Sequence, residues 1–150
     1  VVLNKSMAQT FLTNSPEETQ ALASRLAKQL QGGEVLAFTG GMGMGKTAFT
    51  RGLVIGLGAG DVAQSPTFAL INEYTGRLTV EHFDMYRIET WDDLYSTGFF
   101  DYLGTDRVLV IEWSENIDGA LPEETVYIHM SLGETQAQRR ITIEGWKGEL

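Results

Sequence analysis

Gly40-Gly41-Met42-Gly43-Met44-Gly45-Lys46-Thr47 reads G-x-x-x-x-G-K-T, the spacing of a phosphate-binding P-loop. Before it, Glu34-Val35-Leu36-Ala37-Phe38-Thr39 has the composition of a short buried strand. After it, Lys46 to Leu57 reads as a helix. Strand, glycine-rich loop and helix form the context that the motif requires. The residue types follow from the chemistry. A loop that wraps a triphosphate must turn several backbone N–H groups inward, and Gly tolerates the positive φ angles this demands. The helix that begins at the loop adds its positive dipole end. Lys46 supplies a mobile point charge for the β- and γ-phosphates, and the Thr47 hydroxyl is placed for Mg²⁺. The bland alternative is a glycine-rich turn with an exposed Lys.

The 150 residues carry a net charge of -9 and no Cys. Disulfides and Cys-based metal sites are therefore excluded. The charge argues against a chain that grips nucleic acid by its own global field. No apolar run is long enough to cross a membrane, the start shows no signal-peptide pattern, and a cytoplasmic protein is expected. The length fits one domain, with little room for a lid or a second substrate domain. The expected fold class is α/β. It is a three-layer P-loop NTPase domain over residues 1–150, with a mixed central sheet that includes antiparallel hairpins.

On the N-terminal side of the loop, residues 1–9 carry no pattern and are expected to fray. Thr10 to Thr13 reads as a short strand. Ser15-Pro16-Glu17-Glu18 starts a helix, with Ser at N-cap, Pro at N1 and Glu at N3. Its apolar stripe is Leu22, Leu26 and Leu30, and it ends at Gly32-Gly33.

On the C-terminal side, Arg51 reads as a surface ion-pair residue or a phosphate contact, the ion pair being the simpler reading. Ser65-Pro66-Thr67-Phe68 follows a short linker. It is an ordered turn that carries two hydroxyls where P-loop proteins place a γ-phosphate-sensing switch. An ordinary turn into a strand explains it equally well. Ala69–Tyr74 and Leu78–Asp84 form an antiparallel hairpin about Thr75-Gly76-Arg77. A turn near residue 76 sets Phe68 opposite or nearly opposite Asp84 and brings Thr67 and Asp84 to one end, as a metal and water site. Thr90 to Asp93 is a weaker capping box, followed by the packing residues Trp91, Leu94 and Tyr95. Val108-Leu109-Val110-Ile111 is a strand buried on both faces that ends at Glu112, a Walker B-like acid for the metal. Trp113 is read as core, with a place beside the nucleotide as the alternative. Thr125–Leu132 and Arg139–Gly145 form a half-exposed hairpin, with Arg139-Arg140 as solvated edge charges. His82 and His129 lack metal-ligand spacing and are read as hydrogen-bonded structural residues.

Together these pieces resemble the TsaE (YjeE) family, the bacterial ATPase of tRNA threonylcarbamoyladenosine biosynthesis. The likeness rests on Gly40 to Thr47 followed by Arg51-Gly52, on Ser65-Pro66-Thr67-Phe68, on His82-Phe83-Asp84-Met85-Tyr86-Arg87, and on Ile111-Glu112-Trp113. The resemblance implies an ATPase that supports threonylcarbamoyl transfer to tRNA. Its partners would be a TsaD-type transferase and a TsaB-type paralogue, with tRNA reached through that complex and no membrane involved. It implies ATP and Mg²⁺ as cofactors. Lys46, Asp84 and Glu112 would be catalytic, and Thr47, Asp84 and Glu112 would hold metal. The nucleotide would lie on Gly40, Gly41, Met42, Gly43, Met44, Gly45, Lys46, Thr47 and Ala48, with Thr67 as switch. Gly41 departs from the acid common in the family, and Met44 replaces a usual small residue. A small-molecule kinase and a nucleotide switch with little turnover are the competing readings. The kinase needs an acceptor pocket, and a GTP-specific switch lacks an Asn-Lys-x-Asp motif.

Overall fold

The computed structural model describes residues 8–41, 43–59, 62–65 and 70–150. The strands are β1 (Gln9–Thr13), β2 (Val35–Thr39), β3 (Val62–Ser65), β4 (Leu70–Thr75), β5 (Thr79–Asp84), β6 (Val108–Glu112), β7 (Val126–Leu132) and β8 (Arg139–Glu144). They form one mixed sheet in the order β1-β8-β7-β2-β6-β5-β4-β3. The centre, β7-β2-β6-β5, is parallel, and antiparallel pairs close both sides. The central strands read as apolar runs because both of their faces are covered. Val35 and Leu36, neighbours in sequence, enter opposite cores.

Helices α1 (Pro16–Gln29) and α2 (Lys46–Gly56) cover one face. Their stripes, Leu22, Leu26 and Leu30 with Phe49, Leu53 and Leu57, pack on Leu36, Phe38 and Ile128. Each fully buried Leu contributes about 2 kcal/mol, more than helix propensity alone supplies over one turn. Short helices α3 (Trp91–Ser96) and α4 (Phe99–Tyr102), with a 3-10 helix at Ser114–Ala120, cover β2, β6 and β5 on the other face. This gives the three layers expected. Of the expected packing residues, Leu94 is buried, whereas Trp91 and Tyr95 are 57% and 63% exposed, with the Tyr95 ring 4.9 Å from that of Phe100. The turn of α3 that buries Leu94 turns those two rings outward.

The caps form as their sequences require. The Ser15 hydroxyl accepts from the Glu18 N–H at 3.1 Å, while Glu18 accepts from the Asn14 N–H at 3.0 Å. Thr90 and Asp93 make the reciprocal capping box. Gln9, assigned to the fraying start, is instead paired in β1 with Ile143. The stretch read as a linker contains β3, which pairs antiparallel with β4. The hairpin link is Gly76, Arg77 and Leu78, with Thr75 opposite Thr79. Leu70 therefore faces Asp84, and the expected Phe68–Asp84 pairing is off by two residues. The Arg77 N–H donates to the Leu57 carbonyl at 2.7 Å and its guanidinium to the Ala27 carbonyl at 2.8 Å, which seats the turn on the ends of α1 and α2.

At the end of the sheet away from the P-loop, Arg107 bridges Glu73, at 2.8 Å, and the buried Glu81. Burial, with the neighbouring Glu73, pushes the Glu81 carboxyl up to about 7. The folded chain then holds this proton where the unfolded chain has released it. Stability therefore falls as pH rises from about 4.5 to about 7.

Two predictions follow from this packing. A Cβ on Gly52 would run into the Gln20 carbonyl where α1 crosses α2, whereas one on Gly41 meets nothing within 4 Å. Gly52→Ala should lower the unfolding free energy by roughly 1–3 kcal/mol in urea titrations, with Gly41→Ala within about 0.5 kcal/mol of the parent. Glu81→Gln should flatten the stability profile between pH 5 and pH 7 by a slope of up to about 1.4 kcal/mol per pH unit. Profiles that stay parallel would show that Glu81 does not carry the proton.

Candidate nucleotide and metal site

Strand β2 ends in the glycine-rich loop, and the loop's shape is set by backbone conformations that side chains resist. Gly40, Gly43 and Gly45 take φ of 122°, 77° and 103°. A Cβ on Gly40 would also strike the Met130 carbonyl of β7. Gly41 has open space around it, so the acid common in the resembled family would fit here. Met44 is partly buried against the core beneath α1 and α2, which accounts for a large residue at that position. Met42 and the Thr67 switch lie outside the described residues.

Helix α2 starts at Lys46, so its unpaired N–H groups and positive dipole end face the loop. A cleft of about 750 Å³ opens there. Gly43, Gly45, Lys46, Thr47 and Ala48 form its floor. Asp84, Tyr86, Glu112 and Trp113 form one wall. Arg51, Arg139, Pro16 and Gln20 complete it. The volume lies within the usual range for small-molecule sites.

The acidic wall comes from strand register. In the parallel pair β5–β6, Asp84 lies beside Glu112, so the two acids end adjacent strands together. Asp84 Oδ1 accepts from the Tyr86 N–H at 3.0 Å, which closes the turn after β5. Glu112 Oε2 is 2.7 Å from His82 Nε2. That hydrogen bond, with the charges of His82 and Lys46, holds Glu112 below the usual carboxylate range against the opposing effect of burial. Glu112 is thus a fixed carboxylate at neutral pH, suited to a cation or to orienting a water. On the far side of the ring, His82 Nδ1 and Asn72 Oδ1, on paired strands, are buried without a partner among the described residues.

Trp113 follows with φ 59°, a left-handed conformation that costs a non-Gly residue about 1 kcal/mol or more. Its ring lies 5.9 Å from Lys46 Nζ and 5.1 Å from the Tyr86 ring. The core assignment for Trp113 is therefore incomplete: it packs inward and also lines the cleft. The buried Ser114 hydroxyl donates to the Phe38 carbonyl at 2.9 Å, which ties the exits of β6 and β2 together.

Among the described residues no three His, Cys, Asp or Glu side chains cluster as a metal cage. The hard oxygen donors that line the cleft beside the loop are the Thr47 hydroxyl and the Asp84 and Glu112 carboxylates. Few hard oxygen donors beside a phosphate cradle fit Mg²⁺, which keeps several waters and shares phosphate oxygens. Lys46, Thr47, Ala48, Asp84 and Glu112 all meet in the cleft, and Arg51 lines it without an ion pair among the described residues. Arg139, read as a solvated edge charge, is corrected: it lines the cleft, and its Nη2 lies 3.3 Å from the Gly43 carbonyl. Arg140 is exposed as expected. Pro16 and Gln20 were also missed as cleft residues; they read only as the start of α1. No sequence signal links these positions to a loop so far along the chain.

The sequence and the fold both have relatives among known proteins. The family profile described as "Threonylcarbamoyl adenosine biosynthesis protein TsaE" matches residues 13–141. The chain is 35% identical over 132 residues to the tRNA threonylcarbamoyladenosine biosynthesis protein TsaE of Treponema pallidum, covering 88% of this chain and 97% of that relative. It is 40% identical over 117 residues to the protein of the same name from Bacillus subtilis, covering 77% and 73%. Among solved structures, Bacillus subtilis YdiB superposes with a TM-score of 0.77 at 32% identity, covering 91% of this chain and 84% of that one.

Removing the His82 ring should leave burial as the larger influence on Glu112. In His82→Ala the Glu112 carboxyl pKa, followed by carboxyl ¹³C NMR, should therefore rise. The stability that the depressed pKa adds above the ordinary carboxylate range, and that is lost as pH falls through the folded value, should shrink with it. An unmoved titration would show that His82 does not set the state of Glu112.

Proposed function

The chain belongs to the TsaE family, and on that premise we propose that it is the Mg²⁺-dependent ATP-binding and ATP-hydrolysing subunit for threonylcarbamoyladenosine modification of tRNA. It would act in the cytoplasm with a TsaD-type transferase and a TsaB-type paralogue. The observation that carries the reading is the single cleft in which the start of α2, with Lys46 and Thr47, faces Asp84 and Glu112 at the ends of adjacent strands. Lys46 would bind the β- and γ-phosphates, and the loop N–H groups would cradle them. Thr47, Asp84 and Glu112 would hold Mg²⁺, which neutralises charge on the phosphates when bound. Glu112, kept ionised by His82, would orient the attacking water. No described helix is long and apolar enough to cross a membrane. Tyr86, which lines the acidic wall of the cleft, is more than half exposed, as are Trp91 and Tyr95 of α3, a composition suited to a protein partner.

Asp84→Ala and Glu112→Ala should retain ATP binding in calorimetry. Each should lose hydrolysis by roughly 10²-fold or more, together with support of modification in a reconstituted system. Full modification by both variants would overturn the proposal.

A further inference from the structure

The glycine-rich loop has few side chains with which to hold its shape. Gly40 packs by its backbone against the Met130 carbonyl of β7. A Cβ on Gly41 or Gly43 would meet nothing within 4 Å, so neither position touches the rest of the protein there. Gly43 and Gly45 both take left-handed angles, φ 77° and 103°. Met44 lies between them. It is partly exposed, and it packs on the core beneath α1 and α2. Among the described residues it is the one side chain between Gly40 and Lys46, and therefore the apolar anchor of the loop. Lys46 and Thr47 follow two and three residues later, so the seat of Met44 helps set where they stand.

That anchor is a thioether, and the chain has no thiol to react in its place. It carries five Met and no Cys, so methionine is its only sulfur. Of the three that the structure describes, Met85 and Met130 are 0% and 2% exposed, and Met44 alone is open to solvent. Oxidation of sulfur follows access. We propose that Met44 is an oxidation site through which a peroxide lowers the hold of the loop on nucleotide. This rests on the ATP reading above and adds a means of regulating the same loop. In the step, Met44 Sδ attacks one peroxide oxygen. The S–O bond forms, the O–O bond breaks, and the hydroxide that leaves takes the proton of the new S–OH and departs as water. Sulfur gives two electrons, and the peroxide receives them. Two thiols reverse the step, releasing the oxygen as water and ending as a disulfide, with a methionine sulfoxide reductase as catalyst. The sulfoxide brings a polar oxygen to an apolar contact. Burying that oxygen without a partner is unfavourable, so the side chain turns outward and the loop loses its seat.

The test compares each protein with itself. The parent, Met44→Leu and Met42→Leu are treated with dilute hydrogen peroxide, and peptide mass spectrometry locates the added oxygen. Calorimetry then gives the affinity for ATP with Mg²⁺ before and after treatment. The parent should gain one oxygen at Met44 and bind about tenfold more weakly, with its melting transition still cooperative. Methionine sulfoxide reductase with dithiothreitol should bring the affinity back to within about twofold of the untreated value. Met42→Leu should lose affinity as the parent does. In Met44→Leu the treated and untreated affinities should agree within about twofold, and any effect of the substitution itself cancels in that ratio. Met44→Gln places a polar group there permanently and should match the oxidised parent without peroxide. Equal losses in the parent and Met44→Leu would overturn the proposal. So would a Met44 fully oxidised with affinity unchanged, a Met44 that stays reduced while affinity falls, or a parent that unfolds on treatment. An untreated parent that binds no ATP would instead refute the ATP reading, and the regulation with it.

Discussion

Strand β2 is parallel to both of its neighbours, β6 and β7, and is buried along most of its length, so its chain can leave the sheet only at the C-terminal end. The exit is tight. Gly40 turns with φ 122° against the Met130 carbonyl of β7, and a residue with a side chain could neither adopt that angle cheaply nor fit. The same parallel register continues through β6 to β5 and brings Glu112 and Asp84 to that edge. Parallel strands in an open α/β sheet place their ligand crevice beyond their carboxyl ends, and here the loop, the dipole of α2 and two acids all meet there. Ser114, bonded to the Phe38 carbonyl, locks the exits of β6 and β2 to one another. Trp113, between Glu112 and Ser114, takes the left-handed conformation where the chain makes both contacts from residues two apart.

Strands β5 and β6 carry a different carboxylate problem at each end. Glu81 is almost fully enclosed and shares Arg107 with Glu73, so its charged form is disfavoured. Glu112 is enclosed only in part, and His82 and Lys46 favour its charge. The residue type is the same. Solvent access and the sign of the neighbours decide that one acid holds a proton while the other stays a ligand-ready anion. A sheet that buried both ends equally would lose the second property.

What could be read in the sequence was what is local. The loop, both helix starts and the apolar run into Glu112 depend on spacing within a few residues, and each forms where its pattern lies. The hairpin was legible as a hairpin, but its register was not. A three-residue link centred on Arg77 shifts every partner by two relative to a turn centred on Gly76, and that choice follows from docking on the ends of α1 and α2. Strand β3 escaped because a four-residue edge strand leaves little periodicity. Trp91, Leu94 and Tyr95 all read as packing residues by hydrophobicity, although only Leu94 of the three is buried. Arg139 was the largest miss. It reaches the loop because β8 enters the sheet beside β7, which pairs with β2, and no spacing along the chain records that order.

The charge distribution then follows a simple scale. The chain carries -9 overall, yet the cleft gathers Lys46, Arg51 and Arg139 around a helix N-terminus. The Debye length at physiological ionic strength is about 8 Å. A small polyanion inside the cleft lies within that distance of its cations and is largely sheltered from acids elsewhere on the surface. A long nucleic acid extends well beyond that distance and meets the summed charge of the outer surface, which is negative. The same chain can therefore attract a phosphate group at short range while giving a long polyanion no general hold. The two length scales thus separate a site for a small phosphate from an outer surface with no general hold on a nucleic acid.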